Sequence, residues 1–181
     1  MVSADTLNYI LALGTVALQV LTFALLGAYL LRSRSVFASN VVHSLQPFGI
    51  LVALVISAVT SAFTVYYSAI LGFAPCPLCW WQRAFLYPQV LLFLIALHKR
   101  DIHIATYSIG LSLIGLGIAL YQHALQMLPS SGLPCPASAS SCAQRFVFEF
   151  GYITFPLMSA TVFASLIVLM LITRNSRNYS I

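Results

Sequence analysis

The chain has 181 residues, of which 61% are hydrophobic and 6% charged, with eight Lys and Arg against three Asp and Glu. Water-soluble domains carry about 25% charged residues, so this composition excludes a soluble globular fold and makes lipid the solvent for most of the chain. The formal charge of +5 does not point to nucleic acid, because the basic residues are scattered between apolar runs and form no patch.

Five apolar stretches follow one another, at residues 10–31, 48–73, 80–97, 104–121 and 152–172. Each is near the ~20 residues that a helix needs to cross the hydrocarbon core. In lipid each segment must satisfy its own backbone hydrogen bonds, so the stretches predict helices and the fold class is an all-α integral membrane helix bundle. The first is not expected to be a cleaved leader. Asp5 precedes it and Arg32 and Arg34 follow it, the reverse of the basic-then-apolar order of a signal peptide. The third is the shortest and contains Pro88, which neighbouring helices can accommodate.

The loops that hold Arg32, Arg34, Lys99, Arg100, Arg174 and Arg177 alternate with loops that hold only Arg83 and Arg145. This bias places the first set in the cytoplasm, with the N-terminus outside and the C-terminus inside. All four cysteines then fall on the extracytoplasmic side, Cys76 and Cys79 before the third span and Cys135 and Cys142 before the fifth. That is the side on which disulfides form and persist.

Cys76-Pro77-Leu78-Cys79 stands where the chain enters the third span. At a helix start, free amides and the helix dipole favour a thiolate, which suits thiol–disulfide exchange. A purely structural disulfide over so short a loop would remove little chain entropy. A zinc site is a further reading of this spacing, but the second pair, six residues apart, has no usual ligand spacing. No metal is expected. The loop between Cys135 and Cys142 is Pro136-Ala137-Ser138-Ala139-Ser140-Ser141, whose small residues let it reshape. Alone that pair would read as structural. Two pairs on one side of a membrane can instead pass electrons by exchange.

Arg83 lies four residues after Cys79, on the same helix face. An arginine near hydrocarbon depth is a functional candidate, suited to a thiolate at Cys79 or to charge on a reduced ring; snorkelling to headgroups is the bland alternative. His123 ends the fourth span and is a candidate proton donor. Trp80, Trp81, Tyr66, Tyr67 and Phe73 gather at the outer boundary, where an aromatic belt is expected. Arg145 and Glu149 read as a surface ion pair, in an alternating stretch expected to lie along the interface.

Cys76-Pro77-Leu78-Cys79 with Arg83, Tyr121-Gln122-His123, Cys135, and Cys142-Ala143-Gln144-Arg145, in this order, resemble the DsbB/BdbC family of disulfide-bond formation proteins. The resemblance covers residues 48–172. It implies a DsbB-like four-helix core over residues 45–174, preceded by an additional transmembrane helix and inner loop (1–44) and followed by a short cytoplasmic tail (175–181). It further implies a multi-pass protein of the cell (inner) membrane. By this resemblance Cys135 forms a mixed disulfide with a DsbA-like thioredoxin-fold partner, and Cys142 is its mate. Electrons pass to Cys76–Cys79, and Cys79 faces a membrane quinone, ubiquinone or menaquinone, beside Arg83 and His123. No metal or flavin motif offers another sink for the two electrons. The rival class is a membrane scaffold or small transporter with purely structural disulfides.

Overall fold

The computed structural model describes residues 4–128, 142 and 145–174. It contains six α-helices: α1 (Ala4–Leu31), α2 (Val36–Leu45), α3 (Gly49–Ala69), α4 (Pro77–Lys99), α5 (Ile104–Met127) and α6 (Phe155–Arg174). One 3-10 turn, Gln46–Phe48, joins α2 to α3. Among the described residues there is no strand, only an isolated antiparallel bridge between Glu149 and Ile153.

Among the described residues, four stretches are long and apolar enough to cross a membrane: Thr6–Leu31, Val36–Ala69, Ile104–Met127 and Phe155–Arg174. The all-α membrane bundle expected from composition is therefore the fold. The stretch expected as the third span is α4, whose 23 residues make a rod about 34 Å long. Gln82, Arg83 and Gln89 dilute its apolar character, and it falls outside that set of four.

The element ends follow local chemistry. α4 begins at Pro77, three residues before its apolar stretch, because proline suits a first turn and Cys76 caps it. The Cys76 backbone is extended and its sulfur accepts from the Cys79 amide. The region expected as an inner loop holds α2, capped by Ser35, whose side chain accepts from the Ala38 amide. Pro47 tightens the junction with α3 into the 3-10 turn. At the opposite end of α3 the chain reverses through Gly72, whose φ of 72° suits a residue without Cβ. The Phe73 amide then returns to the Tyr67 carbonyl.

α6 is the most enclosed of the four apolar stretches and packs against α1, α3 and α5. Its Phe163 ring occupies the notch that Gly115 leaves on α5, where any Cβ would overlap the ring. Gly49 likewise admits Thr173. α1 packs on α6 and α2. Three contacts tie it to the bundle: Gln19 Nε2 donates to Thr161 Oγ1 at 3.0 Å, the Tyr67 hydroxyl donates to Asn8 Oδ1, and Tyr9 meets Phe150 at 5.7 Å between ring centroids.

Candidate active site

The first turn of α4, the last two turns of α5 and the start of α6 meet at one end of the bundle. Cys76 is buried and Cys79 half-buried, and their sulfurs lie 2.9 Å apart as free thiols. Cys76, Leu125 and Cys142 form one buried cluster, against which Leu78, Cys79 and Tyr121 pack. Cys142, fully buried, thus shares this end of the molecule with the CxxC pair and stands on the Cys76 side. Cys135 lies outside the described residues.

The residue that holds the pair is Gln122. Its Nε2 lies 3.1 Å from Cys76 Sγ and 3.3 Å from Cys79 Sγ. Its Oε1 accepts from Gln82 Nε2 at 2.7 Å, which turns the amide N–H groups toward the sulfurs. Both glutamines are buried. A buried amide left without partners is costly, so this chain of three polar groups is a fixed feature of the site.

Cys79 stands ahead of the apolar stretch that opens at Trp80. Its thiol is drawn below the usual thiol range, chiefly by the hydrogen bond with Cys76, then by Gln122 and by the Arg83 charge, against the opposing effect of burial. The same hydrogen bond, with burial, pushes Cys76 up. Of the two thiols, Cys79 is therefore the one that favours the thiolate.

Arg83 turns inward. Nη2 donates to the Thr64 carbonyl at 2.9 Å and Nη1 to Ser68 Oγ at 3.3 Å, both on α3, and the guanidinium lies 5.3 Å from the Trp80 ring centroid. Snorkelling to headgroups does not describe this geometry. His123 stands apart, with Nδ1 2.9 Å from Thr154 Oγ1. That hydroxyl also receives the Leu157 amide at the start of α6.

Beside the cysteines lies a cavity of about 440 Å³. Cys79, Gln82, Arg83 and Gln122 border it, whereas Cys76 and His123 do not. Aromatic rings line one end of it. Tyr67 meets Phe155 at 4.8 Å and Phe73 at 5.8 Å, and Phe73 meets Phe146 at 5.1 Å between centroids. Of the aromatics expected in a belt, Tyr67 and Phe73 line this cavity, while Trp80 and Trp81 are exposed. The deeper walls, among them Leu18, Val59, Leu86 and Phe163, are apolar.

The segment before α6 is irregular and fastened to α5. Gln126 Nε2 donates to the Cys142 carbonyl at 3.5 Å, and Arg145 Nε donates to the Gln126 carbonyl at 2.7 Å. Arg145 also lies over the Phe148 ring at 4.8 Å. Its partners are thus a helix-end carbonyl, which lacks an intrahelical donor, and an aromatic face; the ion pair expected with Glu149 is not what holds it.

No His, Cys, Asp or Glu group suited to a metal ion occurs among the described residues. Sequence reasoning missed Gln82 and Gln122, although an amide inside an apolar run is itself a signal.

Comparison with known proteins gives this geometry its setting. Residues 46–173 match the profile of "Disulfide bond formation protein DsbB". The "SPbeta prophage-derived disulfide bond formation protein B" of Bacillus subtilis is 45% identical over 101 residues, 56% of this chain and 68% of the relative. A protein of Chlamydia trachomatis named "Probable disulfide formation protein" is 35% identical over 136 residues, 75% of this chain and 99% of the relative. No solved structure matches the chain. The matched region takes in every cysteine and both helices that carry the paired glutamines, and leaves out α1. The chain is therefore a member of the DsbB family, a multi-pass membrane thiol oxidoreductase of disulfide-bond formation.

Proposed function

We propose that the protein reoxidises a DsbA-like, extracytoplasmic thioredoxin-fold protein and passes the electrons to a membrane quinone. The observation that carries this reading is that the two thiols of one CxxC face different surroundings. Cys76 belongs to the buried cluster with Cys142, and Cys79 borders the cavity. The reading places both pairs on the extracytoplasmic side of the cell membrane, in accord with the bias of Lys and Arg toward the opposite loops.

In the exchange, a partner thiolate attacks Cys135 and releases Cys142 as a thiolate. Cys142 attacks Cys76 Sγ; the Cys142–Cys76 bond forms, the Cys76–Cys79 bond breaks, and Cys79 leaves as the thiolate. A sulfur with a lowered pKa is the better leaving group, and the Gln122 amide stabilises the charge as it develops. The partner's second thiol completes its own disulfide and frees Cys135. Cys135 then restores the bond to Cys142, and Cys76 and Cys79 hold the two electrons.

The cavity suits a quinone in size and lining: pockets for such ligands are about 300–1,000 Å³ and mostly apolar with a few polar groups. A bound quinone supplies an acceptor for two electrons and two protons. Cys79 borders the space it would fill. Arg83, pinned by Thr64 and Ser68, offers positive charge where negative charge develops, without reorganising. The aromatic rings of Tyr67, Phe73, Phe146 and Phe155 offer flat apolar faces to a ring bound beside Cys79. His123 does not border the cavity, so any proton it supplies arrives from behind Gln122.

The test is quinone reduction by the purified protein in detergent, followed by absorbance with a reduced thioredoxin-fold donor. Donor-dependent loss of quinone that disappears in Cys79→Ser is the expected result. No quinone loss from the wild type, with all four cysteines remaining in disulfides, would overturn the proposal in favour of a structural role.

A further inference from the structure

α1 is outside the region matched by the family, yet it borders the cavity next to Cys79. Five of its residues do so: Ile10, Leu11, Gly14, Thr15 and Leu18. Their spacing is that of a single helical face, so one continuous stripe of α1 is turned to this space. The stripe covers about 12 Å along the helix axis. It runs from beside the Asn8–Tyr67 bond to Leu18, which lines the cavity together with Leu86 and Phe163.

α1 is buttressed by α6 and α2, and the cavity separates its stripe from α3 and α4. Gly14 stands midway along it. A Cβ built there meets no atom within 4 Å, so a larger side chain would enter open space without displacing the protein. Gly27, on the same helix, has equally open surroundings but does not border the cavity.

We propose that α1 is the closing wall of the acceptor site and that Gly14 is a specificity-determining residue, its missing side chain making the room that a tailed quinone ring occupies. This rests on the quinone reading above. The ring lies toward Cys79 and Arg83, and the hydrocarbon tail runs along Leu18, Leu86 and Phe163. A glycine is a poor residue inside a helix; at Gly14, unlike at Gly27, the space left by the missing side chain is the cavity itself.

The experiment measures binding apart from turnover. In a Cys79→Ser background, which cannot transfer electrons, a decyl-tailed benzoquinone is titrated and quenching of Trp80 and Trp81 fluorescence is read. Gly14→Leu is expected to weaken binding about tenfold or more. Gly27→Leu should leave it unchanged, controlling for the effect of leucine on the helix. In the otherwise wild-type protein, Gly14→Leu should raise KM for the quinone by a similar factor while leaving reduction of the Cys76–Cys79 disulfide by the donor unaltered. Binding that Gly14→Leu leaves intact would overturn this inference alone. A protein that retains Gly14 yet binds no quinone and reduces none would overturn it together with the quinone reading.

Discussion

α4 and α6 both carry polar side chains among apolar ones, and they use them in opposite ways. On α6 the hydroxyls close on their own helix. Thr161 donates to the Leu157 carbonyl, Ser165 to Thr161 and Thr173 to Leu169, each four residues back. On α4 the long polar groups reach across to other helices. Gln82 donates to Gln122 on α5, Arg83 binds Thr64 and Ser68 on α3, and Gln89 accepts from Ser108 and Ser112 on α5. The more enclosed helix keeps its hydroxyl protons for itself, with Thr161 also accepting from Gln19 of α1, and the less apolar helix organises the site. In lipid a polar group that satisfies itself locally costs little, whereas one that spans two helices fixes their relation.

The comparison can be broken most sharply at Arg83. Arg83→Met should lower the quinone reduction rate about a hundredfold, the scale of losing one preorganised charged donor, while the donor still reduces Cys76–Cys79. Lysine should not restore it, because one ammonium cannot serve Thr64, Ser68 and the cavity as the planar fork does. An ordinary rate in the Arg83→Met variant would show the crossing to be packing alone.

Gln122→Leu comes next, with a loss of about tenfold. Its direct readout is iodoacetamide alkylation of the reduced protein as a function of pH. The thiolate reacts, so the wild-type rate at Cys79 should rise with a midpoint at a pH below that of an ordinary thiol. Removing hydrogen bonds that favour the thiolate must move that midpoint upward. An unshifted midpoint would deny Gln122 this part. His123→Asn should change the quinone rate less than about threefold, well below the 10²–10⁴ of a general acid, since the ring faces Thr154; a hundredfold loss would restore it to the proton path. The smallest effect belongs to α6. Ser165→Ala should cost under about 1 kcal/mol in thermal unfolding and leave the rate unchanged, because its bond is local.

Much of this could be read before any coordinates. The lengths of the apolar runs located every helix but α2, and two cysteine pairs with Arg83 between them outlined the chemistry. That one amide grips both sulfurs could not be read, because an amide inside an apolar run signals only that it needs a partner, not which one. The pairing of Gln82 with Gln122 depends on how α4 rotates against α5, which is a matter of packing. The same holds for α1. Its sequence says only that it is apolar, and nothing in its spacing says that one stripe faces a cavity and not lipid. Ser35 and Pro47, by contrast, are plain local signals for α2 and the turn after it, within a stretch expected to be a loop.

The notch at Gly115 has a consequence for ligand size. The Phe163 ring that fills it is also part of the cavity wall, so the depth of the chamber is metered by a single hydrogen atom on a different helix. A methyl at position 115 would have no room on the α5 side, and the ring would have to advance into the chamber. An interhelical spacing thereby becomes a gauge for how much hydrocarbon the chamber admits, adjustable without altering a polar group or a cysteine.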